Sequence, residues 1–150
     1  MKIYKSQYPE VVHRILSHPV IQQVTSGTTP VKDFKVDASF QHLLIENEAK
    51  QIIGCFQYRC TTSVLVEIHI NILPEHWGSK CGLKATLKAL KWLKNHTEFK
   101  KAWTDVPVVC IKILELMKEA GGVPCGIIKQ GCVYNNELTD LILFERDINE

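Results

Sequence analysis

The sequence predicts an α+β fold, with a central mixed, mostly antiparallel sheet flanked by helices. Three observations predict it: a run of strand-like segments in the middle of the chain, an abrupt change of apolar period at Gly82, and a return to strand-like alternation near the C-terminus. The chain has 150 residues, the commonest size for one core, and at that size folding buries roughly 70% of the unfolded surface. A single domain spanning 1–150 is therefore expected, with no internal repeat, low-complexity tract or linker dividing it.

The elements follow in order. Pro9 and Glu10 suit a first helical turn, and Val12, Ile15 and Leu16 recur at helical spacing, so a short amphipathic helix should end near His18-Pro19. Thr25-Ser26-Gly27-Thr28-Thr29-Pro30 has the Gly, Pro and small polar residues of a surface loop, which separates the N-terminal helical structure from the sheet. Strands are expected over Gln41–Glu46 and 51–58, joined by the polar Asn47-Glu48-Ala49-Lys50. A third covers 63–73, where Val64, Val66, Ile68, Ile70 and Ile72 alternate with period two.

From Gly82 the pattern becomes helical. Leu83, Leu87, Leu90 and Leu93 mark the expected buried stripe, with Lys84, Lys88, Lys91 and Lys94 interleaved. A short strand at 101–103 leads into Thr104-Asp105-Val106-Pro107, read as capping residues and a helix-starting proline. Val109, Ile113, Leu116, Met117 and Ala120 then give the face of a second helix that stops at Gly121-Gly122. Segments 126–134 and 139–144 close the chain as a hairpin around Asn135-Asn136-Glu137. A strand reached through a helical crossover is required by this order.

Composition removes several function classes. With 45% hydrophobic and 23% charged residues, the chain is neither disordered nor membrane-like, and a net charge of +2 gives no basis for nucleic-acid or anionic-membrane binding. No apolar run reaches the ~20 residues a bilayer span needs, and Met1-Lys2-Ile3-Tyr4-Lys5-Ser6 lacks a secretory apolar core, so a cytoplasmic location is expected. The cysteines at 55, 60, 81, 110, 125 and 132 have no Cys-x-x-Cys or zinc-site spacing. They read as free thiols, mostly buried, with no metal. Cys110, at a helix start, is open to a lowered pKa from the helix dipole, while its apolar neighbours favour burial.

One stretch carries chemistry. Ile70 to Gly82 runs from strand through Trp77-Gly78-Ser79-Lys80-Cys81 onto the long helix, and a helix N-terminus behind a glycine-containing loop suits a phosphate or pyrophosphate. Upstream, Glu67 and His69 share one strand face and are candidate general bases. The other reading of that face is plain solvation. Lys84, Lys88 and Lys91 form a positive strip, read either as a solvated helix face or as a contact for an anionic group. Trp92 is expected to pack along the helix flank, whereas Trp77 has no evident place.

The run Leu73-Pro74-Glu75-His76-Trp77-Gly78-Ser79-Lys80-Cys81-Gly82-Leu83 resembles the acetyl-CoA signature of the GNAT superfamily, Pro-Glu-x before Arg/Gln-x-x-Gly-x-Gly/Ala and a helix, and the element order agrees over almost the whole chain. That resemblance implies acetyl-CoA as cofactor and N-acetyl transfer to an amine-bearing small molecule or protein. Its contacts would come from Ile70, Ile72, Trp77, Gly78, Ser79, Lys80, Cys81 and Gly82, with the pantetheine arm between the strand ending at Leu73 and the one at 101–103. Glu67 or His69 would be the base, and Tyr134 the acid.

Two residues depart from the signature: Trp77 stands at the Arg/Gln position and Lys80 at a glycine. Lys80 then has three fates: it gives its ammonium to a phosphate, fills the site, or demands a strained backbone. The family's later motif, an Asn opening the next helix and a Gly-Phe ending it, is only partly present: Gly121-Gly122 end the helix without the aromatic residue, and there is no matching Asn. With Pro74-Glu75-His76-Trp77-Gly78 and Val106-Pro107-Val108-Val109-Cys110, these departures also resemble small phage-encoded GNAT-like proteins linked to virion head assembly. That resemblance implies an inactive assembly protein in the host cytoplasm with virion proteins as partners.

Overall fold

The structure is a computed structural model that describes residues 1–24 and 33–150; the expected loop from Thr25 to Pro30 lies outside the described residues. In chain order these form β1 (Lys2–Lys5), α1 (Pro9–Leu16), α2 (Pro19–Val24), β2 (Gln41–Glu46), β3 (Ile52–Cys60) and β4 (Leu65–Ile72). A 3-10 turn (Pro74–His76), α3 (Cys81–His96), β5 (Lys101–Pro107), α4 (Ile111–Glu119), β6 (Val123–Tyr134) and β7 (Glu137–Asp147) follow. Among the described residues the strands make one seven-stranded sheet in the order β1-β2-β3-β4-β5-β7-β6. Every pairing is antiparallel except β4 with β5, which α3 connects by the expected crossover.

Alternation sorts the side chains between two helical layers. Leu43, Ile45, Phe56, Tyr58, Val66 and Ile68 face α3, whose Ala85, Ala89, Leu90 and Leu93 meet them. Leu44 and Cys55 point the other way, onto Val12, Ile15 and Leu16 of α1 and Ile21 of α2. The third cluster joins Val106 and Phe144 to Met117 of α4. Helices α3 and α4 lie against each other, and Gly82 sits where an added Cβ would come 2.7 Å from Leu116 Cδ1.

Several expectations are corrected. Strand β1 was not anticipated because Lys2 and Lys5 bracket only Ile3 and Tyr4, too short an alternation to read; its pairing with β2 supplies the order. Helix α1 ends at Leu16, close to the expected stop, but Pro19 then opens a second, unanticipated helix, α2, since a proline needs no amide donor in a first turn. The buried face of α3 is turned toward Ala85 and Ala89, small residues that let the helix approach the sheet, and this leaves Leu87 exposed.

Strand β5 continues through Thr104-Asp105-Val106-Pro107, paired with β7 to Leu141, so these residues do not cap a helix, and α4 starts later at Ile111 with Val109 exposed. In the final hairpin Glu137 belongs to β7, and the turn is Asn135-Asn136, both with positive φ. Of the cysteines only Cys55 and Cys110 are buried, while Cys60 and Cys125 are exposed; all are free. Among the described residues no helix is long and apolar enough to cross a membrane.

Candidate functional site

The parallel pair β4/β5 is registered only from Leu65↔Lys101 to Glu67↔Trp103. Beyond that point β4 stays bonded to β3, and β5 to β7, so the two strands part. A cleft of about 610 Å³ opens from this gap on the α3/α4 side, walled by Ile70, Ile72, Trp77, Gly78, Lys80 to Gly82, Ile113, Leu116 and Tyr134. A smaller one, about 350 Å³, is lined by Phe40, Arg59, Glu67, His69 and Asp105. Both share Ile70, Asn71 and Ile113, so the two clefts adjoin where the strands part and form two mouths at that gap. The expected wedge between strands is present, with β5 longer than expected.

At the larger mouth the chain turns through Gly78 (φ 105°), Ser79 (φ 47°) and Lys80 (φ 56°) before α3 begins. The left-handed run costs Ser79 and Lys80 roughly 1 kcal/mol each as non-glycine residues. It bends the amide of Cys81 back to Gly78 O at 2.9 Å, and Lys84 bonds Lys80 O. Among the described residues the amides of Ser79, Lys80, Gly82 and Leu83 have no protein acceptor, and the last three of these residues, with the positive end of a 16-residue helix, border this mouth. Strain is thus the fate of Lys80. Its ammonium lies 3.4 Å from Glu119 Oε2 on α4 and leaves the loop unfilled. Trp77 finds its place too: its indole N-H donates to Ile72 O at 2.7 Å, pinning an exposed ring along the cleft wall. These donors fit a pyrophosphate, and the gap fits a thin chain entering between the strands.

At the smaller mouth, Glu67 and His69 point to one face, as alternation requires. The face is not simply solvated. Glu67 is buried, and both its oxygens are engaged: Oε1 accepts from His69 Nε2 at 2.8 Å, Oε2 from Arg59 Nη2 at 2.6 Å and Nε at 3.0 Å. The His69 hydrogen bond first, and the Arg59 guanidinium after it, hold the Glu67 carboxyl below its ordinary range against the opposing effect of burial. Phe40 fixes the pair from outside, edge-on to His69 with ring centroids 5.6 Å apart and 4.3 Å beneath the Arg59 guanidinium. In the neutral imidazole, Nε2-H donating to Glu67 leaves Nδ1 its lone pair. This is a base with an orienting carboxylate behind it.

Tyr134 belongs to the larger mouth, so the gap and not direct contact joins it to the Glu67–His69 pair. It packs in the same cluster as Cys110, and burial first, then Cys110, raises the phenol pKa. Burial also raises the Cys110 thiol, so the apolar-neighbour reading of that cysteine holds and the dipole does not lower it. Of the lysine strip, Lys88 is tied to Met1 O at 2.7 Å, and the strip borders neither mouth. Trp92 packs on the core flank against Tyr58 and stacks on His96.

Sequence reasoning missed Arg59, Asn71, Asp105 and Glu119. Arg59 was legible only through register, which sets it opposite Glu67. Asp105 was hidden by its assignment to a helix cap, although extending the Glu67↔Trp103 register by two residues aligns it with His69.

No protein-family model matches the chain, and no characterised protein matches it by sequence. Solved structures do match. Spermidine N-acetyltransferase from Vibrio cholerae, in complex with CoA and spermine, is similar with a TM-score of 0.84 at 17% identity, over 99% of this chain and 95% of that one. Two chimeras of the Vibrio cholerae enzyme SpeG with hSSAT give TM-scores of 0.82 and 0.81 at 16% identity, over 99% of this chain and 98% and 97% of theirs. At these identities the likeness establishes the fold: the chain has the GNAT-like α+β architecture, with its mixed sheet and flanking helices.

Proposed function

We propose that the protein is an acetyl-CoA-dependent N-acetyltransferase acting on an amine. The observation that carries this reading is the pair of adjoining clefts at the β4/β5 gap, with unbonded loop amides at one mouth and the Glu67–His69 pair at the other. The similar spermidine N-acetyltransferase holds CoA, which supports the same cofactor class here.

Acetyl-CoA supplies an acetyl group activated as a thioester. The amides of Ser79, Lys80, Gly82 and Leu83 hold its pyrophosphate, assisted by the α3 dipole, with Trp77, Gly78 and Cys81 shaping the loop and Ile70 and Ile72 walling the thin arm. His69 Nδ1 takes a proton from the acceptor ammonium, and the resulting neutral amine is the nucleophile. Glu67 keeps the imidazole oriented and balances the charge it acquires, as the third member of a catalytic triad does. Tyr134, whose phenol is raised further above neutral by burial, would give its proton to the leaving thiolate, and solvent would take the second proton that the acceptor nitrogen sheds as the amide forms and restore the phenol. The assembly alternative, with virion proteins as partners, needs a blocked loop. It has behind it only the exposed apolar strip of Val123, Ile127 and Ile128 on β6, which catalysis does not use.

The test is thermal unfolding with excess acetyl-CoA, with ATP as polyphosphate control. Ligand at ~100 times its dissociation constant adds roughly 2.7 kcal/mol, several degrees at this size. A shift with acetyl-CoA alone, followed by amine-dependent thiol release, is the expected result. No shift at millimolar acetyl-CoA refutes the proposal.

A further inference from the structure

Within the smaller mouth the charges do not balance. Arg59 is fully committed: Nε and Nη2 donate to Glu67, and Nη1 donates to Ser39 Oγ at 3.1 Å while lying 3.6 Å from Asp37. Glu67 is equally committed, to Arg59 and His69. Asp105 is different. It stands on β5 across the gap, with a carboxylate oxygen in a group with ligand atoms of Glu67 and His69 that all lie within 4.8 Å of one another. Among the described residues its side chain makes no hydrogen bond and no ion pair, although it is half-buried. The mouth therefore offers an uncompensated anion beside the candidate base, and among its described lining residues no uncommitted Lys or Arg.

We propose that Asp105 is the acceptor-binding group: it holds the acceptor ammonium next to His69 Nδ1 and selects an alkylamine with no carboxylate beside the amino group. This rests on the acetyl-transfer reading. A carboxylate at 3 Å from an ammonium in a partly dry cleft forms a charge-assisted hydrogen bond. An α-amino acid brings its own carboxylate to within a few ångströms of Asp105, where like charges repel and no free cation compensates. Proton transfer stays with His69, so Asp105 acts on binding and selection. Its neutral isostere should change the Michaelis constant and leave turnover nearly intact.

A matched pair of acceptors tests it: pentan-1-amine and norleucine, which is the same amine with an α-carboxylate. Acetyl transfer to each, and thermal shift by pentylammonium chloride, are measured on the wild-type chain and on Asp105→Asn, whose melting temperature reports folding. Wild type should favour pentan-1-amine by at least ~10-fold in kcat/KM, and Asp105→Asn should raise its KM at least ~10-fold, with kcat within ~3-fold and the preference over norleucine reduced. The pentylammonium shift should vanish in the variant.

If wild type transfers acetyl but Asp105→Asn leaves KM unchanged, or norleucine serves equally, the Asp105 assignment is overturned and the transferase reading stands. If wild type binds pentylammonium through Asp105 and transfers nothing, the binding site stands and the transferase reading is overturned. Neither binding nor transfer overturns both. A stabilising shift with manganese(II), lost in Asp105→Asn and unmatched by pentylammonium, overturns the assignment in favour of a metal held by Glu67, His69 and Asp105.

Discussion

Replacing Glu67 by Gln keeps the size of the side chain and removes its charge, so it isolates what the carboxylate does for the fold. The Glu67 side chain is only 10% exposed, which places its loss toward the ~3–5 kcal/mol of a broken buried ion pair. Arg59 is 39% exposed and can rehydrate, which pulls the cost toward the ~0.2–1 kcal/mol of surface pairs. A glutamine oxygen also keeps one hydrogen bond from Arg59. The expected destabilisation is about 2 kcal/mol, or ~4–8 °C in Tm at this chain length.

The pH dependence then identifies the cause. Because the folded carboxyl titrates below its ordinary 4.5, its stabilisation is fully present above that pH and is lost as pH falls through the lowered folded value. Urea denaturation at pH 7 and at about pH 3.5 should therefore give a large gap between wild type and Glu67→Gln at pH 7, and a narrowed gap in acid. Equal gaps at both values, or none at pH 7, refute the argument that the ion pair is the source.

Other expectations follow from single contacts. His69→Gln should lower kcat at least ~100-fold in the thiol-release assay while leaving the acetyl-CoA thermal shift in place, since it removes the base and touches no loop amide. Gly54→Ala puts a Cβ 2.4 Å from the backbone oxygen of Asn71, a group that cannot swing away, and should cost about 2–3 kcal/mol by urea denaturation. Thiol labelling of the native protein at pH 8, read by peptide mass, should modify Cys60 and Cys125 first. It should spare Cys55, whose thiol burial pushes up to about 12, until the chain is unfolded.

Much of this was legible in the chain. Strands β2 and β3, the alternation of β4, and the start of α3 at the Gly78–Gly82 loop are local patterns, and local periodicity specifies them. The loop's chemistry was legible as well, because donors at a helix start follow from helix geometry alone. What escaped was set by partners distant in sequence. Strand β1 exists because β2 offers it an edge. Residues 104–107 are extended because β7 pairs with them, which overrides the helix-start signals of Thr104, Asp105 and Pro107. The engagement of Glu67 depends on the β3/β4 register that brings Arg59 opposite it, and no single-segment pattern encodes a register.

The short β4/β5 seam also has a dynamic meaning. Main-chain bonding across it stops at Glu67↔Trp103, so beyond that point the outward-facing amides of Ile68–Ile72 and Thr104–Val106 that would have bridged the two strands have no ladder to protect them. Their deuterium uptake should be fast beside the slow exchange of amides bonded into β3 and β7. A molecule threaded through the gap, bonding to both walls, would knit the two halves of the sheet together and slow that uptake on both banks at once.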